Sequence, residues 1–192
     1  MASIRIYTSA DASAGGSKVD LEELSKILDG LKQAWIDIRL INETEKESEE
    51  IREFLSNQMN FHQLAVEDCF DIPVSRAERF ANHRFVAFKA RDQDKQLDTE
   101  YLRVFLTEHN VVTVRHSKIP AINQFKGRYR SARLEKQLKR GPEFLLYELL
   151  DSVADDWMDI LSNYSNKLDN LEDRVFDTHT RYSNLLESLH QI

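Results

Sequence analysis

The sequence predicts an α+β layer fold of α-β-α type, a mixed β-sheet flanked by helices, followed by long C-terminal helices. Three observations predict it. Short alternating apolar segments and helical apolar periods take turns through the first half of the chain, the pattern of a sheet with helices packed on it. Three strand-like segments between Arg84 and Arg115 follow one another across short polar turns, which makes an antiparallel meander. After Gly141-Pro142 no Gly or Pro occurs up to Ile192, so nothing in that stretch breaks a helix. The expected division is an α/β domain over 1–140 and long acidic helices over 141–192.

In chain order, Ile4 to Thr8 alternates and reads as a strand. Ser9 to Ser17 is small and polar and holds Gly15-Gly16, so it reads as a loop. Leu21, Leu24, Ile27, Leu28 and Leu31 lie at helical spacing behind an Asp20 cap. Ala34 to Ile41 is a second strand, too apolar for an exposed edge. Thr44 and Glu47 spell a capping box, and the helix behind it carries Ile51, Phe54, Leu55 and Met59. A short helix is expected from about His62 to Phe70, and Ile72-Pro73 breaks the chain. The meander follows: Arg84–Arg91, a turn over Asp92–Gln96, Tyr101–Thr107, a tight turn at Glu108–Asn110, and Val111–Arg115. Pro120 admits a helix through Ile122, Phe125, Tyr129, Ala132 and Leu134, with a basic opposite face.

The last stretch has its own periodicity. Tyr164, Leu168, Leu171, Val175, Thr178, Tyr182, Leu185, Leu189 and Ile192 are spaced alternately by four and three. This heptad spacing keeps an apolar seam facing a partner. A continuous helix over the whole stretch from Gly141 to Ile192 would be roughly 75 Å long. The seam reaches the last residue with no cap, which predicts a helix cut at Ile192; a long closing helix that folds back on its own domain is the other reading. Thr178 interrupts the seam, so a return near Asp177-Thr178 is the alternative.

Composition bounds the function classes. The 192 residues are 41% hydrophobic and 31% charged, ordinary for a globular protein with one real core. A net charge of -7 disfavours non-specific nucleic acid binding. The charge is uneven: Arg115 to Arg140 is strongly basic and Glu143 to Asp177 strongly acidic. That asymmetry points to electrostatic pairing within an assembly or to a cation site. The single cysteine, Cys69, excludes an intrachain disulfide. No run approaches the roughly 18 apolar residues of a membrane span, and the start is not a signal peptide.

No nucleotide-binding glycine motif, phosphate loop or zinc-protease pattern is present. His62, His83, His109 and His116 show no ligand spacing with Cys69, which argues against a transition-metal site. No nucleophile, base and acid grouping emerges, so no enzyme activity is expected. Carboxylates are the informative groups. Glu67 and Asp68 are adjacent at the end of the short helix. Glu148, Asp151, Asp155 and Asp159 share one helical face, with Asp156 beside them. Like charges at such spacing repel, and a hard divalent cation, which takes oxygen ligands, would relieve that. A solvated face, or one neutralised by the basic helix, is the competing reading. Trp35 reads as core. Asp37, between Ile36 and Ile38, either alternates outward or sits buried and hydrogen-bonded, with no chemical role.

Four motifs in order resemble the cytoplasmic domain of the CorA family of magnesium and cobalt channels. Phe61-His62-Gln63-Leu64-Ala65-Val66-Glu67-Asp68 resembles the family signature, with Gln63 where the family has Pro. Trp35-Ile36-Asp37, Asn110 to Val114 and Leu145 to Asp156 resemble an early strand, a later strand and an acidic helix. The resemblance implies a Mg²⁺-sensing regulatory domain of a Mg²⁺ or Co²⁺ channel, homopentameric in full length, on the cytoplasmic side of an inner or plasma membrane. The membrane would be reached only through C-terminal helices missing here, and the fragment alone would be a monomer or weak oligomer. Carried over by motif, the metal residues are Asp68 first, then Glu67, Asp155 and Asp156. The pore motif is absent, so a zinc-transporting branch, with Zn²⁺ as the cation, stays open. So does a soluble adaptor that oligomerises through its C-terminal coiled helix.

Overall fold

The computed structural model describes residues 2–8, 16–30, 33–71, 74–93, 98–128, 136 and 139–176. The chain divides into two compact units, Met1–Val153 and Ala154–Ile192. The first is built on a seven-stranded mixed sheet. Its strands are β1 (Ala2–Thr8), β2 (Ser17–Val19), β3 (Ala34–Leu40), β4 (Arg76–Arg79), β5 (Arg84–Arg91), β6 (Thr99–Leu106) and β7 (Asn110–Arg115). They lie in the order β2-β1-β3-β7-β6-β5-β4. The meander β5-β6-β7 is antiparallel, as its short turns require. The β3–β7 pair is parallel, with Trp35 opposite Val111 and Asp37 opposite Thr113. A parallel pair needs a long crossover, and everything between these two strands serves as one.

The period of two sorts side chains onto two faces. One face carries Ile4, Ile6, Ile36, Ile38, Phe85, Phe105, Val112 and Val114, all buried in the main apolar core. Three helices supply the other half of that core: α1 (Leu21–Ile27), α2 (Glu45–Glu53) and α3 (Gln63–Glu67). They contribute Leu24, Ile51, Ala65 and Val66, with Phe54, Leu55 and Phe61 from the segment between α2 and α3. The opposite face carries Tyr7, Trp35, Asp37, Thr113 and Arg115, all buried. The Trp35 ring stacks on Tyr7 and meets Phe125 of α4 (Pro120–Arg128) edge-on.

The local signals act as the sequence indicates. Asp20 accepts from the Glu23 amide at 2.8 Å, and Thr44 with Glu47 forms the complete capping box. Three features depart from the expectation. Helix α1 tightens into a 3₁₀ turn over Leu28–Gly30, and α2 widens into a π turn over Phe54–Gln58. Strands β2 and β4 have no counterpart in the expected elements; each is short and polar and forms only because a longer neighbour offers it an edge. The expected turn over Asp92–Gln96 and the helix beyond Arg128 fall partly outside the described residues, as does Ile72-Pro73.

Helix α5 spans Pro142–Phe176 and starts after Gly141 at φ 104°, a conformation that suits glycine. In the first unit it buries Leu145, Leu149, Ser152 and Val153. The Ser152 hydroxyl donates to the Ala121 carbonyl at 3.1 Å and ties α5 to α4. In the second unit the helix is mostly exposed, with Leu161 at 60%, Leu168 at 54% and Val175 at 57%. The seam from Thr178 to Ile192 and the alternative return near Asp177-Thr178 lie outside the described residues.

Candidate functional site

Glu67 and Asp68 sit where the short α3 ends. His62 caps its start, the ring Nδ1 accepting from the Leu64 amide at 3.3 Å. Ala65, Val66 and Cys69 point into the core, so the acids fall on the half-buried rim of the helix. Gln63, one turn earlier, donates through Nε2 to Glu67 Oε1 at 2.9 Å. The Asp68 carboxylate is ion-paired with Arg76 at the start of edge strand β4. The Asp68 carbonyl accepts from Arg103 Nε at 3.2 Å. Arg103 is 4% exposed and also holds Glu100 at 2.9 Å, so Asp68 is anchored to β6 by its backbone and to β4 by its side chain.

Glu67 also lines an acidic cleft with Glu43, Glu49, Arg52, Phe70 and His116. The Arg52 guanidinium lies 4.0 Å from the Phe70 ring centre. His116 sits 2.6 Å from the Cys69 carbonyl and 3.3 Å from Glu43, fastening the end of β7 to the α3 segment. Burial pushes the Cys69 thiol up to about 12, so it is a structural group.

The other two predicted metal residues lie on α5 in the second unit. Asp155 is exposed, with Asp151 and Asp159 on neighbouring turns, whereas Asp156 is buried. Glu67 and Asp68 are thus together, and Asp155 and Asp156 are together, in different units. Among the described residues no three His, Cys, Asp or Glu groups converge to hold a metal. The donor type suits a hard cation, and Mg²⁺ needs only one or two carboxylates when water fills the rest of its octahedral shell.

The structure also assembles a polar cluster that sequence reasoning left without a role. Asp37 is 2% exposed and accepts from Arg115 Nε at 3.1 Å and Nη2 at 2.9 Å, from Thr113 Oγ1 at 2.9 Å and from Lys126 Nζ at 2.6 Å. Trp35 Nε1 in turn donates to Thr113 Oγ1 at 3.0 Å. Burial alone would raise the Asp37 carboxyl, but Arg115 and Lys126 outweigh it and hold it well below the usual carboxylate range. Burial lowers the Lys126 amine while Asp37 opposes the fall. Its Nζ also lies 5.2 and 5.3 Å from the centres of the Tyr7 and Trp35 rings. The available signal was one charge in each of two apolar strands, Asp37 and Arg115, which the parallel register sets two residues apart. Lys126 belongs to the basic face the sequence predicts for α4, and only the docking of that helix turns it inward.

These features define a class of protein: an α/β sheet domain continued by a long helix, with paired carboxylates presented beside an edge strand. The chain belongs to the family described as CorA-like Mg²⁺ transporter protein, whose model matches residues 35–192. The cobalt/magnesium transport protein CorA of Thermotoga maritima is 26% identical over 162 residues, covering 82% of this chain and 44% of that protein. The chain spans less than half the length of the curated relatives it matches. Its fold is that of the soluble domain of CorA from Methanocaldococcus jannaschii, with a TM-score of 0.65 at 19% identity, covering 97% of this chain and 68% of that one. The ZntB cytoplasmic domain from Vibrio parahaemolyticus shares the fold as well, with a TM-score of 0.61 at 10% identity over 97% of this chain and 71% of that one. No described helix is long and apolar enough to cross a membrane.

Proposed function

We propose that this chain is the cation-sensing regulatory part of a divalent metal transport protein that carries Mg²⁺ or Co²⁺. In this reading it is not an enzyme. It lies on the cytoplasmic side of an inner or plasma membrane and works as a homopentamer in the longer protein. The sheet domain over 1–140 presents the sensor acids, and the acidic helices over 141–192 lead toward a stalk. The observation that carries the reading is the Glu67-Asp68 pair at the rim of the sheet domain, with Asp68 anchored by Arg76 and Arg103, in a member of this family. Two carboxylates from one subunit, facing exposed acids such as Asp155 of a neighbour, repel when no cation is present; Asp156, which is buried, would act only by supporting that face. A hydrated Mg²⁺ between them screens the repulsion and joins the subunits, which holds the transport path closed. Binding is weak and water-mediated, in keeping with how reluctantly Mg²⁺ sheds its waters.

The test is Mg²⁺ inhibition of ionic current in the full-length transporter. Asp68→Asn combined with Asp155→Asn is expected to blunt inhibition by millimolar Mg²⁺ and leave selectivity unchanged. An unchanged inhibition curve would return these acids to a solvated surface role. Zn²⁺ as the transported cation is the nearest alternative, and flux competition between Mg²⁺, Co²⁺ and Zn²⁺ separates the two. A soluble adaptor is the second reading, favoured by the exposed Leu161, Leu168 and Val175 on α5. Light scattering of this chain at micromolar concentration separates it: a monomer or weak oligomer fits the transporter reading, a tight dimer the adaptor.

A further inference from the structure

The Asp68 carboxylate is already engaged by a cation of the protein itself. Arg76 pairs with Oδ2, and that oxygen is shut off from solvent while the side chain as a whole is 24% exposed. A metal ion therefore reaches the carboxylate only through its outer oxygen unless Arg76 moves away. Arg76 has somewhere to go. Its Nη1 lies 3.5 Å from Glu78 Oε1, two residues along β4 and on the same side of the strand. Its guanidinium also sits 5.8 Å from the centre of the Phe85 ring, which keeps it near both acids. Strand β4 is a four-residue sheet edge held on one side only, by β5. The Asp68 backbone, by contrast, is pinned to β6 through Arg103 and does not have to follow.

We propose that Arg76 is a built-in competitor for divalent cations at Asp68, and that Glu78 is the acceptor to which it is handed when a cation binds. The proposal rests on the reading of Asp68 as a cation-binding group. A guanidinium on the carboxylate cancels most of the charge a metal ion is attracted to, and the metal must offset the lost ion pair before it gains anything. Arg76 therefore sets the cation concentration at which Asp68 responds. Glu78 lowers that threshold, because with it Arg76 leaves one carboxylate for another rather than for water alone. Substitutions at the two positions must then act in opposite directions.

Paramagnetic Mn²⁺ is the probe, since it shares the oxygen preference of Mg²⁺. It is titrated into the ¹⁵N-labelled 192-residue chain, and the concentration that half-broadens the Cys69 and Phe70 amide signals is read. Asp68→Asn is expected to abolish the local broadening. Arg76→Gln is expected to lower the half-broadening concentration about fivefold, and Arg76→Lys to stay within about twofold of the parent, from the worth of a partly exposed ion pair. Glu78→Gln is expected to raise it about twofold. Arg79→Gln removes the same charge three residues away and is expected to shift it by less than Arg76→Gln. Should Asp68→Asn abolish broadening while Arg76→Gln matches the parent or Arg79→Gln, the competitor is refuted and the cation reading stands. Should Asp68→Asn leave broadening unchanged, both fall. If Arg76→Gln does not fold, the decision passes to Glu78→Gln, and a lowered or unchanged threshold there refutes the hand-over.

Discussion

Asp37→Asn is the most informative single change to stability, because it keeps volume and shape and deletes one charge. In the native chain Asp37 receives two bonds from Arg115, one from Thr113 and one from Lys126. Arg115 is 2% exposed, so without Asp37 its guanidinium stays out of water and loses the carboxylate it is paired with. Breaking a buried pair by removing one partner costs about 3–5 kcal/mol. For a chain of this size that lowers the melting temperature by about 6–20 °C. The assay is urea and thermal unfolding followed by circular dichroism. The pH dependence gives a second, independent reading. The folded-state carboxyl is held below its usual range, so the stabilisation is full above the unfolded value of about 4 and fades as pH falls through the folded value. Between about pH 6 and about pH 3 the parent chain should therefore lose more stability than Asp37→Asn. A loss below about 1 kcal/mol at neutral pH, or parallel pH profiles, would refute the cluster as a stabilising unit.

Lys126→Met should cost no more than about 1 kcal/mol by the same assay, because Asp37 keeps both Arg115 bonds and the methionine replaces a desolvated amine; a loss matching Asp37→Asn would show that the lysine carries the cluster. Gly16→Ala should destabilise by about 1–3 kcal/mol, since Gly16 has φ +79° and an added Cβ would come within 2.6 Å of the Tyr7 ring; unchanged urea unfolding would show that the ring yields freely. Cys69, buried and with its thiol pushed up to about 12, should react with an aromatic disulfide reagent at least about a hundredfold more slowly in the native chain than in urea; similar rates would mean that the α3 segment opens readily.

Much of the fold was legible in the chain because its signals are local. The alternation in β1 and β5 comes from the two-sidedness of a strand, the near-continuous apolar runs of β3, β6 and β7 from burial on both faces, and the capping box of α2 from the four amides a helix start leaves unpaired. The apolar step pattern and the lack of Gly and Pro placed α5. Strands β2 and β4 were not legible, because a three- or four-residue polar strand has no period of its own and exists only as the partner of β1 or β5. The π turn was hidden for the same reason: its residues keep helical composition, and only packing widens the turn.

The candidate site divides in the same way. Sequence alone singled out Glu67 and Asp68 and placed them together at a helix end, since neighbours in the chain are neighbours in space. It could not show that Arg76 would occupy Asp68 or that Arg103 would hold its backbone, because those contacts cross eight and thirty-five positions and depend on how β4 and β6 enter the sheet. Nor could it bring Asp37, Arg115 and Lys126 together. Each is unremarkable in its own segment, and only the parallel pairing of β3 with β7 and the docking of α4 over them puts three charges in one dry place. Local periodicity decides which residues face a core; the meeting of distant charges is decided by tertiary packing, where desolvation makes an unpaired charge too costly to keep.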